Sequence, residues 1–172
     1  MDSERRAAIV RTLEESRDVF QAAMNSVPEH CLRLCPEPGR WSVFEIAEHV
    51  AVAENGMFRL LQSATPVENS LEDRVKEARI TAGLGNRAAR GQAPERARPA
   101  GRFADVPEAL GKFMVAREQT IRFAGGTETD LFRVTAVHPL FAAVNGYELL
   151  LIMAGHVRRH ADQSTEIRER LG

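Results

Sequence analysis

The chain has 172 residues, 44% of them hydrophobic and 27% charged, with a formal net charge of −1. That is enough for one domain, 1–172, with a sizeable core. The near-neutral balance excludes a protein that binds nucleic acid through overall positive charge, and no apolar run approaches the length of a membrane span. The opening MDSERRAAIV mixes acids and bases where a secretory leader would be apolar, so a cytoplasmic protein is expected.

A first helix is expected from about Ser3 to Val27, with Ile9, Leu13, Phe20, Met24 and Val27 at three-to-four-residue spacing. PEHCLRLCPEPGR then breaks the period with three prolines and a glycine. Its two cysteines, Cys31 and Cys35, are too close to staple more than a tiny loop and read as reduced residues near the end of an element. The second helix opens at WSVFE. Ser42 and Glu45 have the spacing of a capping box, and Trp41 and Ile46 that of a hydrophobic staple. It should run to about Gln62.

Residues 64–104 are poor in large apolar side chains and rich in Gly, Pro and Arg. One short helix around Leu71–Ile80 is expected there, the remainder being a long loop. A third main helix fits Asp105 to about Ala124, ended by Gly125-Gly126. TETDLFRVTAVHPLFAAV shows no clean period and reads as a connector. The fourth opens at Asn145 and Glu148, another capping box, and runs to about Leu171. Four long helices and no expected strand predict an all-α fold, a four-helix bundle. The long loop between helices two and three leaves room for an up-down-down-up order.

At ~100° per residue, Leu149, Ile152, Met153, His156, His160, Gln163, Ile167 and Leu171 share one sector of the fourth helix. Two histidines one turn apart thus sit inside an apolar stripe. On the second helix Ile46, Val50, Ala53, Met57 and Leu60 define the inner face, with His49 at its edge. A buried imidazole without partners costs on the order of 1–3 kcal/mol, so three in one interior need a shared explanation. A metal ion supplies one; a satisfied core histidine is the plainer alternative for each taken alone.

PGRWSVFEIAEHV, followed far downstream by HPLFAAVNGYELLLIMAGHVRRHADQ, resembles the DinB-like superfamily of bacterial metal-binding four-helix bundles. The resemblance covers most of the chain. It implies one divalent metal, zinc or nickel, held by His49, His156 and His160, with water or substrate completing the sphere. It also implies a homodimer, and among known activities thiol S-transfer with bacillithiol or the mycothiol-dependent chemistry of a related branch. FAAV follows His-Pro here where a glycine is usual soon after the aromatic residue.

Three neutral histidines leave the ion its full charge and an open position, the arrangement of a catalytic site. Such an ion acidifies either water or a thiol, so a hydrolase and a low-molecular-weight-thiol transferase start from the same ligands, and a non-catalytic metal-binding bundle is the third reading. Imidazole suits zinc, nickel, iron and copper alike. Glu45, one turn before His49, is a candidate general base as well as a capping residue. His138 is a candidate for the mouth of the pocket or a turn. Gln163 is placed to orient a ligand or fill the bundle end, and Arg159 to meet an anionic substrate or water. The stretch Arg74–Arg102 carries eight basic residues against Glu77 and Glu95, which suits an anionic small molecule as well as a solvated loop. Lacking interleaved aromatics, it does not suit nucleic acid.

Overall fold

The structure, a computed structural model, describes residues 1–86 and 92–171. Among the described residues there are five α-helices: α1 Ser3–Asn25, α2 Val43–Gln62, α3 Arg74–Gly85, α4 Val106–Gly126 and α5 Gly146–Leu171. Helices α1, α2, α4 and α5 form the four-helix bundle, and α3 packs on α5.

The helix starts follow from local chemistry. Asp2, Asp73 and Asp105 each accept the backbone N–H three residues on, capping α1, α3 and α4. Both capping boxes form. The Ser42 N–H donates to Glu45 at 2.8 Å while the Glu45 N–H donates to Ser42 Oγ. Asn145 and Glu148 make the same exchange at 2.9 and 2.8 Å. Helix α4 passes through the two glycines expected to stop it and ends at Gly126, where the Thr127 N–H donates to the Phe123 carbonyl. The short helix expected at Leu71–Ile80 starts three residues later and runs on to Gly85.

Side-chain contacts give the direction of each helix pair. Arg6 reaches the Ala124 carbonyl while Phe20 meets Phe113, so α1 and α4 run oppositely. Glu54 pairs with Arg117 and Phe58 with Phe123, so α2 and α4 run together. Arg5 lies over Tyr147 at one end of α1 while Cys31, beyond its other end, points at the Leu171 carbonyl, so α1 and α5 also run together. Both cysteines are free thiols. Gly155 allows α3 to approach α5: a Cβ there would lie 2.7 Å from Leu84 Cδ1 and 3.1 Å from its Cβ.

One expectation is corrected. The connector before α5 is a β-hairpin, β2 Val134–His138 and β3 Ala142–Asn145, joined on its other side by β1 Thr65–Pro66 into an antiparallel sheet ordered β1-β2-β3. Its register sets Thr135 opposite Asn145 and His138 opposite Ala142. Along β2, Val134 and His138 are buried but Val137 is 75% exposed, so burial does not alternate in the way a sequence pattern could reveal. Strands this short are held by pairing rather than by an amphipathic face. Among the described residues no helix is long and apolar enough to cross a membrane.

Candidate metal centre

His49 comes from the second turn of α2, and His156 and His160 from consecutive turns of α5. Their ligand atoms all lie within 4.8 Å of one another. The Nε2 atoms of His49 and His156 are 3.0 Å apart. Two nitrogens bound to one ion at ~2.0–2.1 Å would sit at roughly that separation.

The outer nitrogens decide which way the lone pairs point. His49 Nδ1 lies 2.7 Å from the Ala97 carbonyl, which only accepts, so Nδ1 carries the proton and Nε2 turns its lone pair inward. His160 Nδ1 lies 3.1 Å from Gln163 Oε1 and is fixed in the same sense. His156 Nδ1 is buried and makes no hydrogen bond to any described residue. Burial, only partly offset by the Ala97 carbonyl, lowers the pKa of His49. Burial first, then the neighbouring His160 and His49, holds His156 well below the ordinary imidazole range. Neutral imidazoles with converging lone pairs are a ligand set for one divalent ion, and the donor atoms present fit it.

Residues 12–164 match the family model of the DinB superfamily. The chain belongs to the DinB superfamily. No curated protein matches its sequence. Among solved structures it is similar to Bacillus subtilis YfiT, described as "a probable metal-dependent hydrolase with an unusual four-helix bundle topology". The two share 17% identity and a TM-score of 0.65, over 100% of this chain and 90% of that one, a likeness of fold.

In this DinB-superfamily bundle the three imidazoles open onto a cleft of about 1730 Å³. Gln163 lines it and holds His160. Arg159 also lines it, its guanidinium donating to the Asn86 carbonyl at 2.6 Å and the Leu84 carbonyl at 3.3 Å, which ties α5 to the end of α3. His138 lines it from the hairpin tip. Glu45 stands apart: it is not among the residues lining the cleft, and one of its carboxylate oxygens accepts from both the Ser42 N–H and Oγ at the start of α2. Of the Arg74–Arg102 stretch, Arg96 and Arg98 face the cleft, whereas Arg87 and Arg90 lie outside the described residues.

Three features of the site had no sequence signal of their own. The Trp41 ring packs 4.8 Å from His49 and 6.4 Å from His160, nearly parallel to the latter. Its staple-like position pointed to the helix start, not to the histidines. Ala97 acts through its carbonyl, which no side-chain motif reports. Glu48, fully buried beside His49, holds the same loop by accepting from the Ala100, Gly101 and Arg102 N–H groups and the Arg102 guanidinium. Burial alone would raise its pKa, but these donors together hold it below the usual carboxylate range. Adjacent residues of α2 therefore fix residues 97–102, and that loop fixes His49.

Proposed function

We propose that this DinB-superfamily protein is a metal-dependent enzyme holding one divalent ion, zinc or nickel, on His49, His156 and His160. Its most concrete activity is transfer of a low-molecular-weight thiol, of the bacillithiol or mycothiol type, to an electrophile. The observation that carries this reading is the convergence of three imidazoles, two of them locked by Ala97 and Gln163 with Nε2 inward, at an open cleft. When bound, a divalent ion lowers the pKa of a coordinated thiol or water and so supplies a nucleophile at neutral pH.

The chain's own residues do the rest. The Ala97 carbonyl and Gln163 accept from Nδ1 of their imidazoles and keep Nε2 turned inward, so coordination needs little rearrangement. Trp41 shields one side of the cluster from water. The metal-ligating group among the described residues consists of the three histidines, and Glu45 is committed to its cap. A site without a carboxylate in that group suits a thiol, which once deprotonated needs no general base for its attack. The arginines around the cleft suit a thiol that carries carboxylates.

A hydrolase is the second reading, favoured by the fold shared with YfiT. Elemental analysis of the purified protein, with His49→Ala and His160→Ala beside it, is the first test. About one metal per chain, lost in both variants, is expected. Wild-type protein that takes up neither zinc nor nickel overturns the metal reading. With metal bound, conjugation of bacillithiol or mycothiol to an electrophile such as a dinitrophenyl halide, abolished by chelation, is expected. Metal-dependent ester turnover without thiol would replace the transferase by the hydrolase. Metal that raises the melting temperature with neither activity would leave a non-catalytic metal-binding bundle.

A further inference from the structure

The hairpin tip presents an imidazole that the metal cluster does not use. His138 ends β2 opposite Ala142, the one non-glycine residue with positive φ (55°) among the described residues. That left-handed turn is costly for alanine and marks a tip built to a fixed shape. His138 Nδ1 accepts the Leu140 N–H at 3.2 Å, and its ring stands 5.3 Å from Phe141. With Nδ1 accepting, the proton of the neutral ring is on Nε2. The residue is only 9% exposed and lines the cleft, and Nε2 has no partner among the described residues. A histidine serving only the turn needs Nδ1 alone; this one turns a second, unspent donor to the cleft.

Arg96 lines the same cleft from the loop preceding α4, and its guanidinium makes no hydrogen bond or ion pair with any described residue. Its charge acts on His138, which burial first and Arg96 second keep below the ordinary imidazole range, hence neutral. An Nε2–H and a guanidinium together offer donors and no acceptor, the signature of a site for an anion. The same cleft has apolar lining in Phe141, Leu140, Met57 and Leu60.

We propose that His138 Nε2–H and Arg96 form an anion-binding pair that holds a carboxylate of the substrate, whose apolar body lies along Phe141 and Leu140. His138 is thus a substrate-contacting residue and not a fourth metal ligand. The proposal rests on reading the cleft as the substrate site, and its test does not depend on thiol chemistry.

Phenylacetate and its uncharged counterpart phenylacetamide are titrated calorimetrically into zinc-loaded protein, or into the protein as purified should it take no metal. Phenylacetate is expected to bind about tenfold or more tightly than the amide. Arg96→Gln and His138→Asn should each lose that preference. The Asn side chain still reaches to accept the Leu140 N–H, so His138→Asn keeps the turn while its shorter amide withdraws the donor from the Nε2 position. His138→Gln places an N–H near the Nε2 position and should keep most of the preference. Imidazole ¹⁵N spectra should show the Nε2–H tautomer of His138 in the wild type. Equal binding of acid and amide, undiminished phenylacetate binding in Arg96→Gln or His138→Asn, or an Nδ1–H tautomer would each overturn the proposal. Inorganic phosphate titrated in parallel decides the kind of anion; tighter binding of phosphate, sensitive to the same two variants, overturns the assignment to a carboxylate. Failure here with metal and thiol transfer intact removes the pair alone, while loss of metal binding with the preference intact removes only the metal enzyme.

Discussion

Two of the buried polar clusters in this bundle are built on opposite principles. Around Arg117, fully buried on α4, every donor is spent. Nε and Nη2 grip both oxygens of Glu54 on α2 at 2.8 Å. Nη1 donates to Ser16 Oγ and the Leu13 carbonyl on α1, and Nη2 also to the Met153 carbonyl on α5. The five N–H groups of a guanidinium thus meet five acceptor contacts across the bundle, with Thr120 adding a bond to Glu54. Around His49, His156 and His160 the reverse holds. Nitrogens face one another with too few protons between them, and His156 Nδ1 has no described partner. A closed cluster leaves nothing for a ligand and holds the fold; an open one has its geometry fixed from outside and, at His49, a lone pair turned inward.

That contrast is open to measurement. The largest effect is expected at the closed cluster. Arg117→Leu strands Glu54 and should cost about 3–5 kcal/mol in urea unfolding. Replacing Glu54 as well, by Leu, should recover a good part, since the unpaired charge goes with it. A double variant no more stable than Arg117→Leu would show that packing, not the stranded carboxylate, sets the cost.

At the open cluster the effect should appear only with metal. Zinc at a hundred times its dissociation constant should stabilise the wild type by about 2.7 kcal/mol. His156→Ala should not respond, and without metal should lie within about 1–2 kcal/mol of the wild type because the unpaired Nδ1 leaves with the ring. A metal-free loss as large as that of Arg117→Leu would show the histidines to be a second closed cluster.

The smallest effect concerns the loop that fixes His49. Glu48 has its folded pKa below the ordinary value, so its contribution to stability is complete above the unfolded carboxylate pKa of ~4.3. It is lost as pH falls through the lower folded value. Wild-type stability should therefore fall more steeply below that range than Glu48→Gln stability, by urea unfolding at a series of pH values. In hydrogen exchange Glu48→Gln should speed the amides of Ala100 and Arg102, which donate to the carboxylate. Parallel pH curves and unchanged exchange would remove Glu48 from the chain of positioning contacts.

The sequence by itself determined what depends on neighbours within one or two turns. Ser42 and Glu45, and Asn145 and Glu148, bond to backbone three residues away, so their spacing told where α2 and α5 begin. His156 and His160 shared an apolar stripe for the same reason, the period of the helix. Their partnership with His49, 107 residues from His156, rested on two faces and a family resemblance, and it needed the bundle to make a distance of it. Tertiary structure alone decided the remainder. The strands of the 134–145 hairpin are held by pairing, not by their own pattern. The partner of His49 Nδ1 is a backbone carbonyl, which every residue carries and no motif marks. Arg117 and Glu54 carry no sequence pattern that joins them; packing sets them together 63 residues apart, and burying a charge depends wholly on the partner brought to meet it.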